Sequence, residues 1–213
     1  MLEFNELFNE WAPVYDKTVY DQQGEYREVF QNYDVLLNTI CDEISDKNKG
    51  LILEIGVGTG NLSKKLVSKG FSVIGIEPCQ EMRRLAKEKL PNIAILDGHF
   101  LSIPIAEQFD SIVTSYAFHH LTYSEKRNAL KYLDGYLKES GKFVIADTMY
   151  ESADYKDQLL KYVADSNSHN LLNDLKTEYY EFTNDILKLF DELGYTYQLQ
   201  QINKYVWVIS AQK

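Results

Sequence analysis

The chain is poor in cysteine, proline, positive charge and long apolar runs, and each shortage closes off a class of protein. Its 213 residues include two cysteines, Cys41 and Cys79. Two thiols cannot build a disulfide framework or a cysteine metal cluster, and no metal site is expected. Only four prolines are present, and no Pro/Ser-rich linker, internal repeat or low-complexity segment interrupts the chain. Residues 1–213 therefore read as a single domain. Lysine and arginine total 22 against 32 aspartates and glutamates, a net charge of −10. Nucleic-acid-binding domains are usually basic, so a nucleic-acid partner is not expected. No apolar run approaches the roughly 20 residues of a membrane span. The N-terminus has no basic segment followed by an apolar core. The expectation is a cytoplasmic protein with no membrane partner. Sixteen tyrosines are many for this length, and such rings suit amphipathic pocket walls.

What is present is organised periodicity. Phe4, Leu7, Phe8 and Trp11 fall at helical spacing until Pro13 ends the element. Tyr26, Val29, Phe30, Tyr33, Leu37, Ile40 and Ile44 continue as one long stripe of period 3.6. Residues 1–48 thus form an N-terminal helical arm and cover. After a polar break at 46–50, strands and helices alternate. The strands are Leu51–Ile55, Phe71–Ile76, Ile93–Leu96, Asp110–Ser115 and Lys142–Asp147. One helix starts at Asn61 as its N-cap and ends at Gly70. The next carries Met82, Leu85 and Ala86 and stops at Pro91. A third opens on the capping-box pattern Thr122-Tyr123-Ser124-Glu125 and runs through Leu137. Such alternation over 51–148 implies an α/β fold, with a mainly parallel sheet and helices on both faces. Residues 151–178 are polar and helix-leaning and read as an inserted cover. In 179–213, Thr183 to Leu193 reads as a helix. Tyr195–Ile202 and Tyr205–Ala211 are β-rich and separated by Asn203-Lys204. A link that short makes them an antiparallel hairpin, for seven strands in all.

The first strand runs into Glu54-Ile55-Gly56-Val57-Gly58-Thr59-Gly60-Asn61. A strand, a glycine turn and a helix N-terminus form a small-molecule cradle in an open α/β sheet. The dinucleotide fingerprint places glycines at the first, third and sixth positions. Here the sixth position is Asn61, and the third glycine comes one residue early. Glu54-x-Gly56-x-Gly58-x-Gly60 resembles motif I of the class I S-adenosylmethionine (AdoMet) methyltransferases. The terminal hairpin is a second, independent point of likeness, because that family adds an antiparallel edge after its fifth strand. The resemblance implies a Rossmann-like methyltransferase sheet and AdoMet as the cofactor.

Candidate site residues follow from position. Glu77 ends the second strand about 20 residues past the glycine turn, where an acid can accept hydrogen bonds from both hydroxyls of a ribose. By resemblance, Asp97, at the end of the third strand, receives the adenine amino group, and Gly56, Gly58 and Gly60 cradle the cofactor. Ligands bind beyond the carboxyl ends of the strands in such sheets. The reactive methyl is therefore expected near Ser115–His120, with Ser115 on the cofactor. His119 and His120 are the acid–base candidates, since imidazole can take a proton near neutral pH. Adjacent side chains point apart, so at most one of the two is expected to face the methyl. Tyr15 is a candidate cofactor or substrate contact, because aromatic faces attract a sulfonium cation. Trp11 reads as a core anchor, Asp110 as structural and Cys79 as a small helix-start residue. Tyr116, Tyr179 and Tyr180 are expected to line the acceptor site.

The strand exit Ser115-Tyr116-Ala117-Phe118 lacks the proline pair of amino-group methylases of adenine and glutamine. Neither cysteine stands where carbon-5 pyrimidine methylases keep their nucleophile. Within the class, the chain is similar to the YrrT-like group of bacterial methyltransferases. The carrying residues are Trp11-Ala12 through Tyr15-Asp16, Glu25-Tyr26-Arg27-Glu28-Val29-Phe30, Thr177-Glu178-Tyr179-Tyr180 and Val206-Trp207-Val208. The leading expectation is methyl transfer to a small-molecule O, N or S acceptor. Two alternatives stay open: an AdoMet-binding regulator without turnover, and an RNA or protein methyltransferase. A nicotinamide dehydrogenase is a remote further reading.

Overall fold

The computed structural model describes residues 8–45 and 50–213. The arm positions Phe4 and Leu7, and most of the polar break, lie outside them. Seven strands form one sheet: β1 (Leu51–Ile55), β2 (Ser72–Ile76), β3 (Ala94–Leu96), β4 (Phe109–Ser115), β5 (Leu137–Thr148), β6 (Thr196–Gln201) and β7 (Val206–Gln212). Their spatial order is β3-β2-β1-β4-β5-β7-β6. The five strands from β3 to β5 pair in parallel, and β7 runs antiparallel to both β5 and β6. The order reverses at β1, so a crevice opens where the chain leaves β1 on one side and β4 on the other.

The central strands read as apolar runs because both faces are covered. Successive side chains alternate faces. Ile52, Val113 and Val144 meet Leu36, Leu37 and Ile40 of α2 (Tyr33–Glu43) on one side. Leu53, Ile112 and Phe143 meet Leu130 and Leu133 of α5 (Tyr123–Asp134), and Ile186 and Phe190 of α8 (Thr183–Asp191), on the other. The inserted segment forms α6 (Ala153–Asp165) and α7 (His169–Thr177). Their Leu159, Val163, Leu171 and Leu175 join the α2 side of the core. The remaining helices are α1 (Tyr15–Val19), α3 (Asn61–Ser68) and α4 (Gln80–Lys89). No helix among the described residues is long and apolar enough to cross a membrane.

Three sequence expectations need correction. The stripe from Tyr26 to Ile44 is not one helix. Asn32 adopts the left-handed conformation at φ 65, and α2 begins only after it. Tyr26, Val29 and Phe30 lie in turns that wrap toward the crevice. The third expected helix stops at Asp134, and Leu137 opens β5 opposite Phe109. Ser140 at φ 62 and a register shift before Ser111 then let β5 continue past Gly141. Asn61 is the first residue of α3 rather than its cap, and Gly60 holds the cap position. The expected capping box at Thr122 and Glu125 is present, and the hairpin turn is tied by Asn203, whose carbonyl accepts from Tyr205 and Val206 N–H at 2.8 Å each.

Candidate active site

Two cavities meet beyond the carboxyl ends of β1 and β4. The first holds about 880 Å³, open mouth included, against the glycine turn, Glu77, Met82, Phe100 and Ser115. The second holds about 1220 Å³, on the same terms, against the arm, the His119 turn and α7. Phe8, Tyr15, Tyr116 and His120 line both.

The first cavity is shaped mostly by backbone. Gly56 sits at φ +75, and a Cβ there would lie 2.5 Å from the Cβ of Ala117. Only glycine lets β1 turn so close to the exit of β4. The Gly58 N–H donates to Glu77 Oε2 at 2.7 Å, and the Cys79 N–H donates to Oε1 at 2.8 Å. Burial raises the Glu77 pKa, and these two donors oppose the rise. A carboxylate has about four acceptor positions. Glu77, held by two backbone donors, thus keeps capacity for a pair of ligand hydroxyls. Gly60 does not line the cavity; a Cβ there would press Leu90 Cδ1 at 3.1 Å and Ala86 at 3.4 Å, so this glycine serves the packing of α3 on α4. Glu54 is buried, and burial pushes its pKa up to about 8. It accepts the Ser63 hydroxyl and so ties β1 to α3.

The arm is pinned over this cavity by Asp16. Its carboxylate accepts Thr59 Oγ1 at 2.6 Å and Asn61 Nδ2 at 3.1 Å, and it pairs with Lys89. Burial pushes Asp16 up, but the bonds from Lys89, Thr59 and Asn61 outweigh it and hold the carboxyl below its ordinary value. Tyr15 follows from the same helix. Burial pushes its phenol far up, so it stays protonated.

Tyr116 divides the two cavities. It is one of few non-glycine residues at positive φ, 52°, and its N–H donates to Ala146 O at 2.9 Å. Such strained positions cluster at functional sites. Its hydroxyl donates to Val29 O at 3.1 Å, and its ring stands 5.1 Å from Phe30 and 6.0 Å from Tyr33.

His119 and His120 lie on the 3-10 turn Phe118–His120 that follows β4. Asp147, at the end of β5, grips His119 twice: Oδ2 accepts its N–H at 2.9 Å, and Oδ1 lies 2.6 Å from Nδ1. This grip engages Nδ1, and the residue lines the second cavity. Burial lowers the His119 pKa, but the charge and hydrogen bond of Asp147 outweigh it and raise the value above 6.5. Burial, and then the neighbouring His119, push His120 the other way. His120 Nδ1 lies 3.2 Å from Glu178 Oε2. His119, His120 and Glu178 thus form one cluster, with polar atoms within 4.8 Å of one another.

The other expected site residues divide. Ser115 lines the first cavity and Tyr180 the second, where its ring lies 4.9 Å from His119. Asp97 is not on either wall. It is exposed and pairs with Arg83 at 3.3 Å, while Arg83 is held by Glu77 O at 2.5 Å and Pro78 O at 2.9 Å. Tyr179 lies outside both cavities with its ring 44% exposed; its carbonyl instead accepts from the buried Lys126 at 2.6 Å. Trp11 is a wall of the second cavity, edge-on to Tyr26 at 5.4 Å, rather than a core anchor. Asp110 is structural, accepting Leu51 N–H at 2.8 Å and pairing with Lys138.

Residues 52–141 match a family described as a methyltransferase domain. An uncharacterized methyltransferase of Alkaliphilus oremlandii is 59% identical over 213 residues, covering 100% of this chain and 99% of its own length. The uncharacterized methyltransferase YrrT of Halobacillus halophilus is 42% identical over 214 residues, covering 100% and 98%. The chain belongs to this methyltransferase family. Among solved structures, magnesium protoporphyrin IX methyltransferase from Synechocystis PCC 6803 with bound SAH shares the fold at a TM-score of 0.71 and 14% identity, covering 93% of this chain and 92% of that one.

Sequence reasoning missed several residues of this methyltransferase. Asp147 carried a signal, since it ends a strand on the ligand side of the sheet. Asp16 stood beside Tyr15 in a stretch already singled out. Tyr26 and Glu178 stood in stretches that carry the family likeness and Asp174 in none, but no spacing joins the three, because only the wrapping of two distant segments brings them together. Tyr26 Oη donates to Asp174 Oδ2 at 2.5 Å across that gap.

Proposed function

We propose that the protein transfers a methyl group from S-adenosylmethionine to an oxygen, nitrogen or sulfur of a small molecule held in the second cavity. The observation that carries this reading is the shared wall of Phe8, Tyr15, Tyr116 and His120, which puts donor and acceptor sites in contact at the switch point of the sheet. S-adenosylmethionine supplies an electrophilic methyl on a sulfonium, whose departure leaves a neutral thioether. Gly56 and Gly58 would let the main chain approach that ligand, and Glu77 would accept its ribose hydroxyls. Tyr15 and Tyr116, which line the same cavity, would offer aromatic rings to the cation. The chain fixes the two reactants in line, which supplies much of the acceleration. His119, oriented by Asp147, takes a proton from an acceptor that arrives protonated. Cys41 and Cys79 are buried and unpaired, which suits a reducing cytoplasm.

Calorimetry tests the donor site. Glu77→Ala should weaken AdoMet binding by about 1–3 kcal/mol, because buried hydroxyls lose a charged acceptor. Unchanged affinity would remove the assignment. Labelled AdoMet with cell extract tests turnover; binding without a labelled small-molecule product would favour the regulatory alternative.

A further inference from the structure

Resting on that reading, we infer that the second cavity selects an amine as its methyl acceptor, one that is an ammonium ion when free. Two carboxylates, Asp174 and Glu178, stand one turn apart at the end of α7 and face the cavity. Trp11, Tyr26, Phe30 and Tyr180 supply aromatic faces around them. No lysine or arginine is among the described residues that line it. The nearby cations point elsewhere: Lys126 is spent on the carbonyls of Leu121 and Tyr179, and Lys204 pairs with Glu28 at 3.1 Å.

The charge pattern discriminates among acceptors. A carboxylate or phosphate acceptor would bring a third negative charge beside Asp174 and Glu178 with no lysine or arginine in the lining to receive it, and like charges in a partly dry site repel strongly. A neutral hydroxyl would gain nothing from the ring faces. An ammonium gains from both the rings and the carboxylates.

An ammonium has no lone pair, so it must first lose a proton. His119 meets that need, because it lines the cavity and Asp147 holds its Nδ1, which assigns the proton transfer to Nε2. The balanced step is direct. Nε2 takes one N–H proton and becomes imidazolium. The freed nitrogen lone pair forms the N–C bond as the C–S bond breaks, and that electron pair stays on a neutral sulfur. The product leaves as a methylated ammonium.

Two sets of probes of matched shape test the inference by calorimetry on the full chain with saturating AdoMet: phenethylamine, 2-phenylethanol and 3-phenylpropionate, and then hexylamine, hexanol and hexanoate. At least one amine should bind about tenfold tighter than its alcohol, and the acid of that set weakest. Asp174→Asn with Glu178→Gln should erase the order, and thermal melting of that variant shows whether it folds. An alcohol or acid that binds as tightly as its amine overturns the inference, as does an order that survives in the folded variant or no binding by any probe. The wild-type order needs no variant and stands by itself. AdoMet titrated alone separates the two levels. Normal AdoMet affinity with no amine preference overturns only this inference, whereas absent AdoMet binding overturns the donor reading whatever the amines do.

Discussion

The two cavities share four residues and are built in opposite ways. The first is a backbone cavity. Its floor is the turn between Ile55 and Leu62, closed by one carboxylate that two main-chain N–H groups hold. The second is a side-chain cavity. Its walls come from the arm, the turns around Tyr26, the His119 turn and α7. A backbone cradle tolerates little change and can serve one ligand class across many proteins. A wall of side chains from separate segments can be re-specified one residue at a time. In this chain the donor side therefore carries what is general, and the acceptor side what is particular.

Substitutions can break that division one side at a time. The largest effect is expected from Gly56→Val. The added Cβ meets Ala117 at 2.5 Å, and a β-branched residue at φ +75 adds strain of about 1–2 kcal/mol. AdoMet affinity should fall at least about 100-fold by calorimetry, with the amine preference of the second cavity intact in a folded variant.

Asp147→Asn should act on the other side alone. Turnover should drop by about 100-fold, the scale of a lost general base, with AdoMet affinity unchanged. The pH profile adds a sign. His119 must be neutral to take a proton, so turnover should rise with pH through its raised pKa, above 6.5. Without the Asp147 charge that limb should move to lower pH; a limb that stays put means another group is the base.

Asp16→Ala tests the contact between arm and cradle. Its ion pair with Lys89 is partly exposed, and such pairs contribute little each. AdoMet dissociation, followed by stopped flow, should quicken by about three- to tenfold. The smallest effect is expected from Asp97→Asn, under about twofold in AdoMet affinity, since its side chain is 75% exposed and turned toward Arg83. A tenfold loss would restore the adenine contact that the sequence position suggests.

The fold was legible wherever the pattern is local. The positions of the strands along the chain, the terminal hairpin and the capping box at Thr122 all follow from short-range periodicity or turn chemistry. The helical stripe from Tyr26 failed because apolar spacing cannot reveal a left-handed Asn32. Leu137 was misplaced because an apolar residue after a helix fits the helix and the next strand equally. The donor site was legible for the same reason the fold was: Gly56, Gly58 and Glu77 lie within one β-α-β unit. Asp97 failed because a position at a strand end says where a residue is but not which way it turns, and Arg83 decides that here. Of the proposed acceptor cavity, Tyr116, His119 and Tyr180 were legible, and the rest stayed hidden because Tyr26 and Asp174 are 148 positions apart, and no local spacing encodes a contact across that distance.

The Asp16 clasp has a consequence for timing. It joins the arm to Thr59, Asn61 and Lys89 through charged groups that water still reaches. Ions in solution weaken such links, while the His119–Asp147 pair is far less exposed, at 11% and 2%. Ionic strength should therefore set how fast spent donor is exchanged and leave the methyl step itself alone, which makes salt a throttle on the cycle that is independent of its chemistry.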